Sequence, residues 1–318
     1  MAFTALTCPQ CGGALPRQAL WRMVACTYCK AMVTRSAEVV ERAPYQLAYQ
    51  RSLSIGDGGG RRLRIAGQRY RVLTPLGQGE HSEVLLAERC GALPQRVTIK
   101  LAHSAGSDLA REAETLRQLQ ALQGAGAAYF SQRLPQVVAL GRTGEFEHES
   151  VHEREALVLR HPTGFWGSLS DVLRMHPHGL SDARHAVWLW RRVLELLGYI
   201  HGAGWSHGDV RAQHCLVNPG DHGVLVIGWS RAALGGDTTR DLMQLAWTIR
   251  TLLHGESDDQ PGLSSQLPLA LSTVLRAASE DAAWCARLGA QGIDQALVSA
   301  ARESFGPPQF IPFNPLRA

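Results

Sequence analysis

Short apolar runs separated by chain breakers are typical of residues 67–160. Two of these runs flank a glycine-rich turn, which predicts a β-hairpin, and three more predict further strands. The predicted strands are residues 70–76, 83–87, 96–101, 137–140 and 156–159. Residues 108–122 carry apolar side chains at helical spacing and predict an amphipathic helix. Its apolar positions are Leu109, Ala113, Leu116 and Leu119.

The pattern becomes mostly helical after Pro162. The predicted elements are a helix over 181–200, short strands at 215–217 and 224–227, and helices from Asp241 onward. The tail that begins at Phe305 is too rich in Pro to be helical, and its three Phe residues are expected to hold it against a surface.

Composition narrows the class of protein. The 318 residues are 45% hydrophobic, which is enough for one large domain and a small module. No apolar run reaches the length of a transmembrane helix, and the start lacks a signal-peptide pattern, so a cytoplasmic protein is expected. The net charge of +4 is too mild to argue for nucleic acid. Only Lys30 and Lys100 are lysines, and this Arg-rich, Ala-rich composition is typical of a GC-rich bacterial genome.

Four cysteines near the start form two CxxC pairs. They are Cys8, Cys11, Cys26 and Cys29. Two residues between paired cysteines let a tight turn present both thiolates to one tetrahedral Zn²⁺ ion. The pattern resembles the zinc-ribbon family and predicts a structural zinc site in a ribbon at residues 1–36, followed by a linker at 37–66. A module this small needs its metal to fold.

The role of the ribbon beyond zinc binding is open. Zinc ribbons bind nucleic acid or proteins, or brace a neighbouring domain. This one has no basic run and few aromatic residues, so nucleic-acid binding is not the first expectation. The other cysteines, Cys90, Cys215 and Cys285, are expected to be core or surface thiols.

Three motifs follow one another in the rest of the chain. Between two predicted strands lies Gly77-Gln-Gly79-Glu-His-Ser-Glu-Val84, followed by the strand Val97-Thr98-Ile99-Lys100 and then by Glu112 on the predicted helix. After a second amphipathic helix comes His207-Gly-Asp209-Val-Arg-Ala-Gln-His214-Cys-Leu216. The order and spacing resemble the glycine loop, the VAIK strand, the αC Glu and the HRDLKPENIL catalytic loop of protein kinases.

The resemblance covers residues 67–318 and implies an α+β, bilobal, protein-kinase-like fold. The β-rich lobe would span about 67–160 and the helical lobe about 161–318. In such a fold Lys100 would pair with Glu112, and Asp209 would be the catalytic base. The resemblance also implies an ATP pocket, and its remaining residues would be Gly77, Gly79, Val84, Thr98 and Leu216.

The metal-binding half of the family pattern is missing. Protein kinases hold Mg²⁺ with the Asp of DFG and with an Asn of the catalytic loop. Here these positions are Gly228 and His214, so Mg²⁺ binding is not expected. Asp221 lies too early, in a turn, to replace them. Twelve residues separate Gly228 from Asp241, which is too short for the usual activation segment.

The packing residues, by contrast, look retained. The resemblance implies that Leu116, His207 and Trp229 stack as the family's internal spine, and that Asp241 anchors His207. Together these features favour a pseudokinase that acts as a scaffold or regulatory subunit for protein partners, with ATP binding left open. One alternative is an unorthodox ATP-dependent kinase or nucleotidyl transferase that uses Lys100, Glu112 and Asp209. A second alternative is a nucleic-acid-associated regulator that acts through the ribbon.

Overall fold

The computed structural model describes the short strands between residues 2 and 41, and residues 61–79, 81–91, 95–104, 108–144, 153–255 and 267–316. Strand β1 (Ala2–Phe3) pairs with β4 (Val40–Glu41), and β2 (Met23–Ala25) pairs with β3 (Met32–Thr34), both antiparallel. The four predicted zinc ligands lie outside the described residues. The predicted bounds of the ribbon, linker and kinase-like domain stay predictions.

The chain divides into two compact units. The first comprises residues 1–105 and 139–158, and the second comprises residues 106–138 and 159–318. Strands and helices are both abundant, and the helices of eight or more residues all belong to the second unit within the described ranges, so the predicted mixture of helix and strand is confirmed.

Six strands build the first unit's sheet, which closes on itself in the order β10-β8-β7-β6-β5-β9. Their bounds are β5 Arg62–Ile65, β6 Gln68–Gln78, β7 Ser82–Arg89, β8 Gln95–Ala102, β9 Val137–Gly144 and β10 Glu155–Arg160. The predicted hairpin is β6–β7, and register shifts between Val72 and Gly77 mark irregular pairing before the glycine turn. Each of the five predicted strands is present; β9 begins at its predicted residue and ends later, and the other four extend a little beyond both predicted ends.

Helices dominate the second unit. They are α1 Leu109–Gln120, α2 Ala127–Phe130, α3 Leu169–Met175, α4 Ala183–Gly202, α5 Thr238–His254, α6 Leu269–Glu280 and α7 Ala282–Phe305. The Asp182 carboxylate caps α4 by accepting from the Arg184 N–H, as the predicted helix start requires. Asp237 caps α5 in the same way, so this helix begins three residues before Asp241.

Five short strands complete the second unit: β11 Gly167–Ser168, β12 Trp205–Ser206, β13 Cys215–Asn218, β14 Gly223–Val226 and β15 Ala233–Leu234. The sheet order is β11-β13-β14, and β12 pairs separately with β15. These strands position the candidate site, because its loops connect them in the part of the chain between β12 and α5.

The C-terminal tail packs on the second unit, as predicted. Phe313 is buried against Trp188, with ring centroids 5.6 Å apart. The His222 Nε2 atom lies 2.8 Å from the Ile311 carbonyl, and the His222 ring stacks on Phe310. Phe305 instead ends α7.

No helix in the described ranges is both long enough and apolar enough to cross a membrane.

Candidate functional site

A buried carboxylate organises the loop that runs from β12 to a short 3₁₀ helix, Ala212–His214. Asp241, on the first turn of α5, is fully buried. Its two oxygens accept the backbone N–H groups of His207 and Gly208, each at 2.7 Å. The His201 Nε2 atom lies 3.0 Å from the same carboxylate. The predicted anchoring of His207 by Asp241 is therefore present, and it fixes the backbone on which Asp209 stands.

The His207 imidazole is held in one tautomer. Its Nε2 lies 3.0 Å from the Ile227 carbonyl, which can only accept, so Nε2 carries the proton. Its Nδ1 accepts the Asp209 backbone N–H at 3.2 Å. The Trp229 ring meets it edge-on, with centroids 4.5 Å apart, as the predicted stack requires. Burial lowers the pKa of His207 to about 4, so the ring is neutral near pH 7.

Helix α1 contacts the segment that follows β14. Glu112 is 1% exposed, and its Oε1 accepts the Trp229 backbone N–H at 3.2 Å. Glu114, the neighbour with which it could be confused, is exposed. Glu112 is thus the buried carboxylate of this helix, whereas its predicted pairing with Lys100 stays a prediction.

Asp209 is a buried carboxylate with a close cationic partner. The Arg211 guanidinium approaches both of its oxygens at 2.6 Å. Burial raises the pKa of Asp209, but the hydrogen bond from Arg211 and the charges of His214, Arg211 and Arg231 outweigh it, and the net pKa lies below the usual range. Sequence reasoning did not single out Arg211, although its position two residues after Asp209 is a signal for such a pair.

His214 occupies the space next to residue 228. Its Nδ1 lies 2.8 Å from the Asp209 carbonyl, so Nδ1 carries the proton. A Cβ atom at Gly228 would come within 2.7 Å of the His214 ring atoms Nε2 and Cδ2. Gly228 also has a φ of 80°, which favours glycine. The two substituted positions of the motif are therefore in contact, and the ring excludes any side chain at position 228 unless it moves.

Gly208 is also required by its surroundings. Its φ is 78°, and a Cβ atom there would lie 2.7 Å from the Arg231 carbonyl oxygen. The chain after Trp229 therefore passes where a side chain at position 208 would begin. Asp221 takes no part in this loop, because its Oδ1 accepts the Gly223 N–H within the β13–β14 turn, as expected.

The predicted nucleotide residues of the first unit share one face of its sheet. Gly77, Val84 and Lys100 lie side by side on β6, β7 and β8. Thr98 lies on the same face as Lys100, because side chains two residues apart on a strand point the same way. The opposite face carries the buried core residues Leu85, Ala87, Val97, Ile99 and Leu101. Leu216 lies on β13 of the second unit and is half-buried.

Known proteins give little help with this chain. No protein-family model matches it. No curated protein matches it either. Solved structures do, and one of them, the crystal structure of a kinase domain, is 13% identical over 61% of this chain and 67% of that chain, with a TM-score of 0.48. A likeness of this size does not identify a fold or an activity. Within the described ranges, no three His, Cys, Asp or Glu residues are grouped so that they could hold a metal ion.

Proposed function

We propose that residues 67–318 form a catalytically impaired protein-kinase-like domain, a pseudokinase that acts as a scaffold or regulatory subunit for protein partners. The order of the motifs supports the kinase-like part of the proposal. So does the bonding of the loop, in which Asp241 holds the backbone of His207 and Gly208. This bonding supports the proposal because the same residue types hold the catalytic loop of protein kinases, the family that the motifs resemble.

One observation carries the impairment: the His214 ring fills the space of a side chain at position 228. The kinase family would place Mg²⁺ ligands at these two positions. Mg²⁺ prefers hard oxygen ligands, and this pair supplies an imidazole and no side chain at all. The residues at these two positions therefore do not fit the metal. ATP binding without Mg²⁺ remains part of the proposal through Lys100 and the sheet face beside it.

The test is transfer of labelled phosphate from ATP by the full chain with Mg²⁺ or Mn²⁺, to itself and to a generic protein substrate. We expect no transfer above the level of the Asp209→Ala variant. Transfer that Asp209→Ala abolishes would contradict the impairment. Thermal unfolding with and without ATP, repeated for Lys100→Ala, reports nucleotide binding separately, because a ligand of the folded state raises the melting temperature.

A second candidate, an unorthodox ATP-dependent transferase, is favoured by the state of Asp209. Its carboxylate is ionised and held in place by Arg211, so it is free to accept a proton, although its lowered pKa makes it a weak base. In that case the ATP-induced rise in melting temperature should depend on a divalent metal and disappear in Lys100→Ala. A metal-independent rise would favour the scaffold.

The structural zinc also stays a proposal. Metal analysis of the purified chain should give about one zinc per chain by the four-thiolate rule. The variant Cys8→Ser should lower that content, whereas Cys90→Ser, which changes an exposed thiol outside the CxxC pairs, should not.

A further inference from the structure

Strand β15 has one open edge. It pairs with β12 through Trp205 opposite Leu234 and Ser206 opposite Ala233, and the Gly235 N–H continues this ladder to the Gly204 carbonyl. Hydrogen-bonded and non-bonded pairs alternate along an antiparallel ladder. The Leu234 N–H and C=O groups therefore point away from β12, and no other residue of the described ranges bonds them.

The open edge lies beside a groove of about 390 Å³. One wall is a single face of α1, and the other is the strand pair; the lining residues are Arg111, Glu114, Thr115, Gln118, Trp205 and Ala232–Leu234. The Ala232 carbonyl, two residues before Leu234 on the same edge, accepts from the Arg111 guanidinium at 3.2 Å. This contact places α1 on the side toward which the open edge of β15 points.

The groove offers both apolar and cationic contacts. The Leu234 side chain is 69% exposed and lies next to Trp205 across the strand pair. The Glu114 carboxylate is engaged by Gln118 at 2.8 Å and by Arg117 at 3.8 Å. Arg111 is exposed, and no carboxylate in the described part of the chain lies within salt-bridge distance of it. The groove therefore complements an acidic side chain near an apolar one.

We propose that an extended segment of a partner protein binds here by adding a strand to β15. One residue of that segment would exchange two backbone hydrogen bonds with Leu234. Its neighbours would place an apolar side chain against Leu234 and Trp205 and a carboxylate near Arg111. Backbone pairing supplies affinity in this mode of recognition, and the alternate side chains supply specificity. The inference rests on the proposed scaffold function and names its docking surface.

The experiment starts from a displayed library of random eight-residue peptides, selected on the full chain. We expect enriched peptides with an acidic residue near an apolar one. One of them, made synthetically, should bind Leu234→Ala and Arg111→Glu at least tenfold more weakly than the unaltered chain. The matched controls are Leu269→Ala, which truncates another exposed leucine, and Arg287→Glu, which reverses an exposed charge on α7; both should bind as before.

A second measurement leaves the protein unchanged. N-methylation of the peptide, one residue at a time, should abolish binding at the position that pairs with Leu234 and spare the residues on either side of it. Pure side-chain docking would not give this alternation. Enrichment of no such peptide, binding that is indifferent to Leu234, or N-methylation without alternation would overturn the proposal. So would self-association of the chain through Leu234 in sedimentation, which would make a second copy the occupant.

These results are separate from the test of catalytic impairment. Peptide binding should be the same for Asp209→Ala as for the unaltered chain, because Asp209 does not line the groove. A chain that transfers phosphate but binds the peptide would overturn the impairment alone. A chain that does neither would overturn only this docking surface.

Discussion

Two groups of residues around the loop that follows β12 differ in how their side chains are used. The anchored part, made of His207, Gly208 and Asp241, has its buried polar groups bonded within the protein. The altered part, made of Asp209, His214 and Gly228, keeps the carboxylate but has an imidazole where a side chain at position 228 would lie. The first part determines the backbone of the loop. The second would determine its chemistry.

The two N–H groups at His207 and Gly208 are bonded by Asp241 and by no side chain of the altered part. Asp241 satisfies two backbone N–H groups that would otherwise be buried without a partner, which is a folding requirement whatever the loop does. The His207 and His214 rings lie near each other, with centroids 6.1 Å apart and planes tilted by 51°.

The largest expected effect comes from breaking the anchored part. Asp241→Ala leaves two N–H groups unbonded, that of the buried His207 and that of the half-buried Gly208. At roughly 1–3 kcal/mol for each such group, the free energy of unfolding should fall by roughly 2–6 kcal/mol. Chemical denaturation measures this directly. Asp237→Ala, which removes an exposed cap from the same helix, should cost only about 1 kcal/mol. Equal losses in the two variants would show that the bonds of Asp241 contribute no more to stability than an exposed helix cap does.

The contact in the altered part can be measured by a double-mutant cycle. Gly228→Ala should cost about 1–2 kcal/mol for its left-handed backbone and roughly 1–3 kcal/mol more for the clash with His214. In a His214→Ala background the clash is gone, so only the backbone cost should remain. Gly235→Ala is the matched control, because its φ is 70° and its Cβ would meet nothing within 4 Å.

The cycle also has an outcome that would count against the structure. If Gly228→Ala costs the same in both backgrounds, residues 214 and 228 do not interact, and the imidazole does not fill the space assigned to it. Non-additivity of about 0.5–3 kcal/mol is the range expected for residues in contact.

Much of this architecture could be predicted from the sequence. The spacing of apolar residues predicted β6, β7, β8 and α1. A strand with one buried face and an amphipathic helix each show this spacing within their own few residues, so it can be seen in the sequence. Asp182 predicted the start of α4 because capping is a local interaction as well. The resemblance to protein kinases correctly assigned Asp241 to His207, two residues 34 positions apart.

What the sequence did not reveal depends on contacts between distant segments. The sequence shows that His214 and Gly228 differ from the family pattern. It does not show that the His214 ring fills the space beside Gly228, because this depends on how the chain folds after β14. The open edge at Leu234 was missed because a two-residue strand has no period of its own. Arg211 was overlooked among the 32 Lys and Arg residues, although it lies two residues from Asp209 and pairs with it.

The smallest expected effect on stability comes from changing Arg211, the partner of Asp209 in the altered part. Arg211→Ala removes a half-exposed partner of Asp209, so the free energy of unfolding near pH 7 should fall by less than about 1 kcal/mol. The pKa of Asp209 should nevertheless rise, because burial raises it and one of the groups that lower it has been removed. A carboxylate whose pKa is lowered in the folded state stabilises the fold above its unfolded pKa, and that stabilisation is lost as the pH falls through the folded value. The folded pKa marks the lower end of this loss, so in the variant the loss due to Asp209 should be smaller and should be complete at a higher pH.

Titration of the Asp209 carboxyl carbon by NMR measures the shift at the residue itself. Arg184→Ala is the matched control, because Arg184 also pairs with an aspartate two residues away, and its hydrogen bond is the main cause that lowers the pKa of Asp182. It should raise the pKa of Asp182 and leave that of Asp209 unchanged. An Asp209 pKa that does not respond to Arg211→Ala would mean that other charges hold this carboxylate ionised. Arg211 would then be a surface residue, and the case for a poised base, and with it for the transferase alternative, would lose its structural support.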